Sequence, residues 1–186
     1  AGNNNDTIAA LSVNKQLTPE DQRKFDYFFY DAINAKAIGD FASTYDYLQS
    51  CMKIDSTNAN VLYELGNFYT SLQEKEKAYT YYRKAVSYAP NNFYYNMAYA
   101  AMSADQQEFK TAAEVYQKLI KENPNKIELY MYLSEVYRLD GNFESSIQAL
   151  NDLERTMGMN EKITIQKFQL YSALNDKKKA YEEVQK

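Results

Sequence analysis

The chain has 186 residues, 45% of them hydrophobic, which is enough for one substantial core or for several stacked small ones. Its 21 basic and 25 acidic residues are well mixed and leave a formal net charge of −4, so no nucleic-acid partner and no anionic membrane surface is expected. One cysteine and no histidine exclude an internal disulfide and a Cys/His zinc site and remove the commonest general base, while three prolines and five glycines point to long regular elements.

Residues 1–17 open with the polar run AGNNND and are expected to be partly disordered, with 7–13 resting on whatever follows. Asn5-Asp6-Thr7 is a glycosylation sequon of the kind that arises by chance. A first residue of Ala suits a bacterial exported protein without its signal peptide, which favours the periplasm over the cytoplasm, and equally suits a trimmed chain. Thr18-Pro19-Glu20-Asp21 reads as an N-cap, a first-turn proline and first-turn acids, so the first helix starts there. Apolar residues then recur at three- and four-residue steps and predict helices over 19–37, 41–54, 59–72, 75–88, 93–104, 108–121, 127–139, 143–156, 161–173 and 177–186. Turn chemistry separates them at Ile38-Gly39-Asp40, Ala89-Pro90-Asn91-Asn92, Asn123-Pro124-Asn125 and Asp140-Gly141-Asn142. Gly158 takes the place of an inter-repeat proline as a C-terminal cap. No apolar run reaches the roughly 20 residues of a membrane-spanning helix.

The elements repeat with a period of 34. Ala78, Ala112, Ser146 and Ala180 are in phase and always small; Tyr82, Tyr116, Leu150 and Val184 are in phase and large; Pro90 meets Pro124. This divides 18–186 into registers 25–58, 59–92, 93–126, 127–160 and a shortened 161–186. In the second register Leu62, Leu65-Gly66, Tyr69, Ala78, Tyr82, Ala85 and Pro90 follow the pattern W-x-x-L-G-x-x-Y…A-x-x-x-F…A…P, and the chain thereby resembles the tetratricopeptide repeat family. The resemblance covers about 25–186. It departs at Asp31-Ala32, Thr44 and Cys51 in the first register, at Asn96 and Ser103 in the third, and at Phe168 in the fifth. It implies an all-α, right-handed superhelical solenoid of about five helix-turn-helix repeats.

Chemistry is sparse. Most of the 19 tyrosines sit at repeat positions that pack helix on helix, and Cys51 lies in phase with Ala85, Leu119 and Leu153 on a buried face. No phosphate loop, nucleophile elbow or metal-spaced acid set is present, so no enzyme, no cofactor and no metal are expected. One ladder stands out: Phe29, Tyr63, Met97, Met131 and Ile165, each 34 residues apart. The resemblance places it on the concave face, with Ile33, Asn67, Ala101, Glu135 and Gln169 beside it and Tyr94 and Arg138 pointing into the same groove. The ladder can equally seal neighbouring helices, and half-buried residues can do both.

The function the resemblance implies is a protein–protein interaction scaffold that holds a peptide or a partner domain. A glycan- or ligand-binding module with stacked exposed tyrosines, or a purely structural spacer in a longer chain, are the alternatives. The clamp with which some family members hold chaperone C-termini does not fit: its positions carry Tyr63, Asn67, Ala98, Glu128 and Tyr132, of which only Asn67 matches. An apolar-anchored ligand is expected, with Met97 and Met131 as adaptable contacts. The last register stops inside its second helix and leaves Phe168, Tyr171, Tyr181 and Val184 near an open end, so further repeats or self-association through that end are expected.

Overall fold

The computed structural model describes residues 16–186. The expectations for the start of the 1–17 segment, for the packing of 7–13 and for the sequon lie outside the described residues. Ten helices and no strand are found among them: α1 (Pro19–Ala37), α2 (Phe41–Ile54), α3 (Ala59–Ser71), α4 (Lys75–Tyr88), α5 (Phe93–Asp105), α6 (Phe109–Glu122), α7 (Ile127–Leu139), α8 (Phe143–Met157), α9 (Glu161–Ala173) and α10 (Lys177–Val184). The chain is an all-α helical repeat solenoid.

Local chemistry sets the helix ends. The Thr18 hydroxyl accepts from the Asp21 amide at 3.1 Å, and Asp40, Asn58, Asn142 and Asp176 cap later helices in the same way. Each helix pair turns through one residue in the left-handed region: Gly39, Gln73, Gln107, Gly141 and Asn175, with φ between 58° and 78° and one period apart. There the chain closes with paired bonds such as Asp40 N to Ala35 O and Gly39 N to Lys36 O. Glycine adopts this conformation freely; Gln73 and Gln107 adopt it at a cost.

Contacts divide the chain into two compact units, with the boundary between Tyr95 and Asn96, inside α5. In the first unit Phe25 and Ala32 of α1, Leu48 and Cys51 of α2, and Val61 and Leu65 of α3 form one buried cluster, against which Leu17, Phe29 and Tyr81 pack. Each fully buried aliphatic here contributes about 1.5–3 kcal/mol. Burial also pushes the Cys51 thiol up to about 11, so it behaves as a small core hydrophobe. In the second unit Tyr130 of α7, Ile147, Leu150 and Leu153 of α8, and Ile163 and Leu170 of α9 form the matching cluster.

The small residues of the repeat solve two different problems. A Cβ on Gly66 would stand 2.4 Å from the ring of Tyr82, so this glycine makes room for an aromatic side chain. The Tyr82 hydroxyl then donates to Asn67 at 2.7 Å and lies 3.0 Å from that of Thr70. Two periods later Ser134 and Ser146 face each other. Each hydroxyl bonds the other's backbone carbonyl, at 3.0 and 2.7 Å, so two buried polar side chains satisfy one another where α7 crosses α8.

One core position breaks the pattern. Lys167 of α9 is in phase with Leu65 and Leu133 and is only 1% exposed. Its ammonium lies 3.2 Å from Glu154 of α8 and 2.8 Å from Glu183 of α10, and Lys186 makes a second 2.8 Å contact with Glu183. Burial raises the Glu183 carboxyl, but hydrogen bonds and charge from Lys167 and Lys186 outweigh it and hold the group below the usual carboxylate range.

Candidate functional site

Within the first unit the predicted groove residues are mostly engaged with their own repeats. Phe29 is half-buried and stacks on Phe25 at 6.3 Å. Tyr63 lies between Tyr95, 4.7 Å away, and Tyr82, 5.8 Å away. Asn67 accepts from Tyr82, which occupies one side of its amide. Ile33 is exposed, and Tyr94 is exposed with its ring edge-on to Phe93.

Within the second unit Met97 is half-buried and Ala101 and Ile165 are exposed. Met131, Glu135, Arg138 and Gln169 come together in a cleft of ≈ 580 Å³ shared by α7, the start of α8 and α9. The cleft is completed by Ser134, Phe143, Ser146, Gln166, Leu170 and Ala173, none of which the sequence singled out as site residues. Its volume lies within the range of about 300–1,000 Å³ typical of ligand sites. Met131, Phe143, Leu170 and Ala173 supply apolar wall. The Ser134 and Ser146 hydroxyls are spent on each other. The carboxamides of Gln166 and Gln169 form no hydrogen bond among the described residues.

Arg138 donates to Glu135 from Nε at 2.8 Å and from Nη2 at 2.6 Å. Those hydrogen bonds hold the Glu135 carboxyl below the usual carboxylate range against a smaller opposing push from burial. The pair orients the guanidinium, which lines the cleft, and leaves Nη1 without a hydrogen bond among the described residues.

The same niche exists in the first unit, three periods earlier. Lys36, Gly39, Phe41, Thr44, Glu64, Asn67, Phe68 and Ser71 line it, but only ≈ 30 Å³ is open, about the space of one water. Lys36 and Glu64 bridge it at 2.8 Å, and Phe41 packs edge-on to Phe68. In the second unit Arg138, Phe143, Gln166, Gln169, Leu170 and Ala173 take the positions of Lys36, Phe41, Glu64, Asn67, Phe68 and Ser71. Smaller apolar groups and the loss of the bridging acid open the niche.

Tetratricopeptide repeat family models match residues 59–92 and 94–126. Residues 59–126 thus carry two tetratricopeptide repeats. Solved structures with the same fold include MamA 41-end from Desulfovibrio magneticus RS-1, 19% identical with a TM-score of 0.70 over 87% of this chain and 92% of that one. A second, titled crystal structure of MamA protein, is 16% identical with a TM-score of 0.75 over 88% and 90%. At this identity the likeness establishes the fold alone. No curated protein matches the chain.

Among the described residues no set of three or more acidic, cysteine or histidine side chains could hold a metal ion, and no helix is long and apolar enough to cross a membrane.

Proposed function

We propose that this tetratricopeptide array is a non-catalytic interaction scaffold whose α7–α9 cleft docks an extended segment of a partner protein. The supporting observation is the cleft itself: apolar walls, two unbonded carboxamides and one oriented guanidinium, the donor and acceptor set that a peptide backbone and its side chains can use. Met131 in its lining can adapt to different anchors. Within the same unit Met97, Ala101 and Ile165 are the predicted groove residues outside the cleft that we add to the proposed surface. A glycan platform has less support, because only Tyr27 and Tyr30 share a helix face; Tyr88, Tyr94, Tyr132 and Tyr181 are exposed singly on α4, α5, α7 and α10.

The test uses random pentapeptides on beads, anchored through either terminus and probed with the fluorescent chain. Retained peptides are expected to bind Ala173→Trp at least tenfold more weakly, since the indole fills the cleft from an exposed position, while the thermal midpoint holds. Beads that retain nothing, as a pure spacer predicts, or that bind the tryptophan variant equally, contradict the reading.

We infer a second contact surface on the last hairpin from the large apolar side chains exposed there. Val184 is 59% exposed, although its in-phase counterparts Leu48, Tyr82, Tyr116 and Leu150 are buried. Phe168 is exposed where Ala32, Gly66, Ala100 and Ser134 are buried, and Tyr181 of α10 is exposed as well. We propose that a second copy covers this face. The average mass in sedimentation equilibrium should rise with concentration for the wild-type chain and stay near 21.6 kDa for Val184→Glu. A wild-type chain that remains monomeric near 1 mM rules this out.

A further inference from the structure

We propose that the segment bound in the α7–α9 cleft carries a carboxylate that pairs with Arg138, standing where the carboxylate of Glu64 stands in the first unit. This rests on the reading of the cleft as a peptide site. The two niches are built from the same repeat positions, and in the first a basic residue of one repeat meets an acid of the next. Lys36 reaches Glu64, whose side chain is only 12% exposed, and the bridge spans the niche. In the second unit the basic residue is kept as Arg138, but the acid is replaced by Gln166.

The consequence is a cation without its cross-repeat partner beside an open cleft. Arg138 is steadied by Glu135, a residue whose counterpart in the first unit is Ile33, and so the pairing is local to this repeat. That contact is a two-point pair between neighbours on one exposed helix face, which orients the guanidinium and leaves Nη1 outside it. Nη1 remains to donate, and a planar fork of this kind is matched by a carboxylate. Met131, Phe143, Leu170 and Ala173 give the cleft apolar wall as well as polar groups, so the ligand carries an aliphatic or aromatic group next to its acid. Glu135 repels that acid and sets the affinity low.

The acid can be an Asp or Glu side chain or a free C-terminus, and the two anchoring chemistries of the bead library separate these sources. Enrichment on beads anchored through the peptide C-terminus identifies a side chain; enrichment confined to beads with a free C-terminus identifies the terminal carboxylate. In either case retained sequences should place an acid beside an apolar residue. Gln166→Glu rebuilds the bridge of the first unit inside the cleft and should lower retention at least tenfold. Glu135→Gln should raise it severalfold. Independently of any peptide, the carboxylate introduced by Gln166→Glu should titrate below the ordinary glutamate range when followed by carbon-13 NMR, and an unshifted titration would show that Arg138 does not face it. Peptides retained without acid preference, or bound equally well by Gln166→Glu, overturn the inference and leave the peptide site standing. Retention of no peptide overturns both.

Discussion

Lys167→Ala should release the last hairpin while leaving the rest of the array folded. The ammonium is buried and is shared by two largely buried carboxylates on the flanking helices. Removing one partner of such a cluster costs about 3–5 kcal/mol, because the charges left behind stay out of water without compensation. Glu154 Oε1 and Glu183 Oε2 already lack hydrogen-bond partners in the described protein, so the site has no spare donor to offer them. A repeat array breaks where a repeat is weakest, since each one leans only on its neighbours. Hydrogen exchange should therefore lose protection across 161–184 and keep it across 59–92. Acid should act in the same direction. Glu183 has a lowered pKa in the folded chain, so its contribution is present above the usual carboxylate value of about 4.3 and is lost as pH falls below it. Uniform loss of protection along the chain, or none, would show that the ion cluster does not pin the hairpin.

Gly66→Ala should destabilise the first unit by about 1–3 kcal/mol, the range for forcing a methyl group into a filled core. The added carbon would meet two ring atoms of Tyr82, at 2.4 and 2.5 Å. The ring cannot swing aside cheaply, because it is 4% exposed and its hydroxyl is held by Asn67 and Thr70. For a chain of this size each kcal/mol lowers the thermal midpoint by about 2–4 °C. Tyr82→Leu should reduce the penalty, since a leucine stands at the equivalent position 150, where Ser134 replaces the glycine. Additive losses in the double mutant would mean that ring and glycine do not share the space.

The helices were legible because the core rewards the same spacing five times over, and the caps Thr18, Asp40, Asn58 and Asn142 mark their starts in the sequence itself. The helix breaks around Gln73 and Gln107 followed from the same spacing, but their left-handed backbone did not, because nothing in a glutamine announces it. Lys167 was missed for a related reason: at a leucine position a lysine reads as an irregularity, and only the folded chain brings Glu154 and Glu183 to it from two other helices. Of the candidate site, the family resemblance named Met131, Glu135, Arg138 and Gln169 as groove residues, and these four line one cleft. The resemblance could not separate that niche from its counterpart in the first unit. The difference is made by Gln166 for Glu64, Leu170 for Phe68 and Ala173 for Ser71, substitutions that look minor until the Lys36–Glu64 bridge is seen to fill the space.

The most direct measurement is an NMR titration of the chain with a retained pentapeptide, following methionine methyl and glutamine side-chain amide signals. Binding in the α7–α9 cleft should shift Met131 together with the carboxamides of Gln166 and Gln169, and leave Met52, in the core of the first unit, in place. Shifts that leave Gln166 and Gln169 unmoved, or that appear around Lys36, Glu64 and Asn67 instead, would contradict the assignment of the open niche as the docking site.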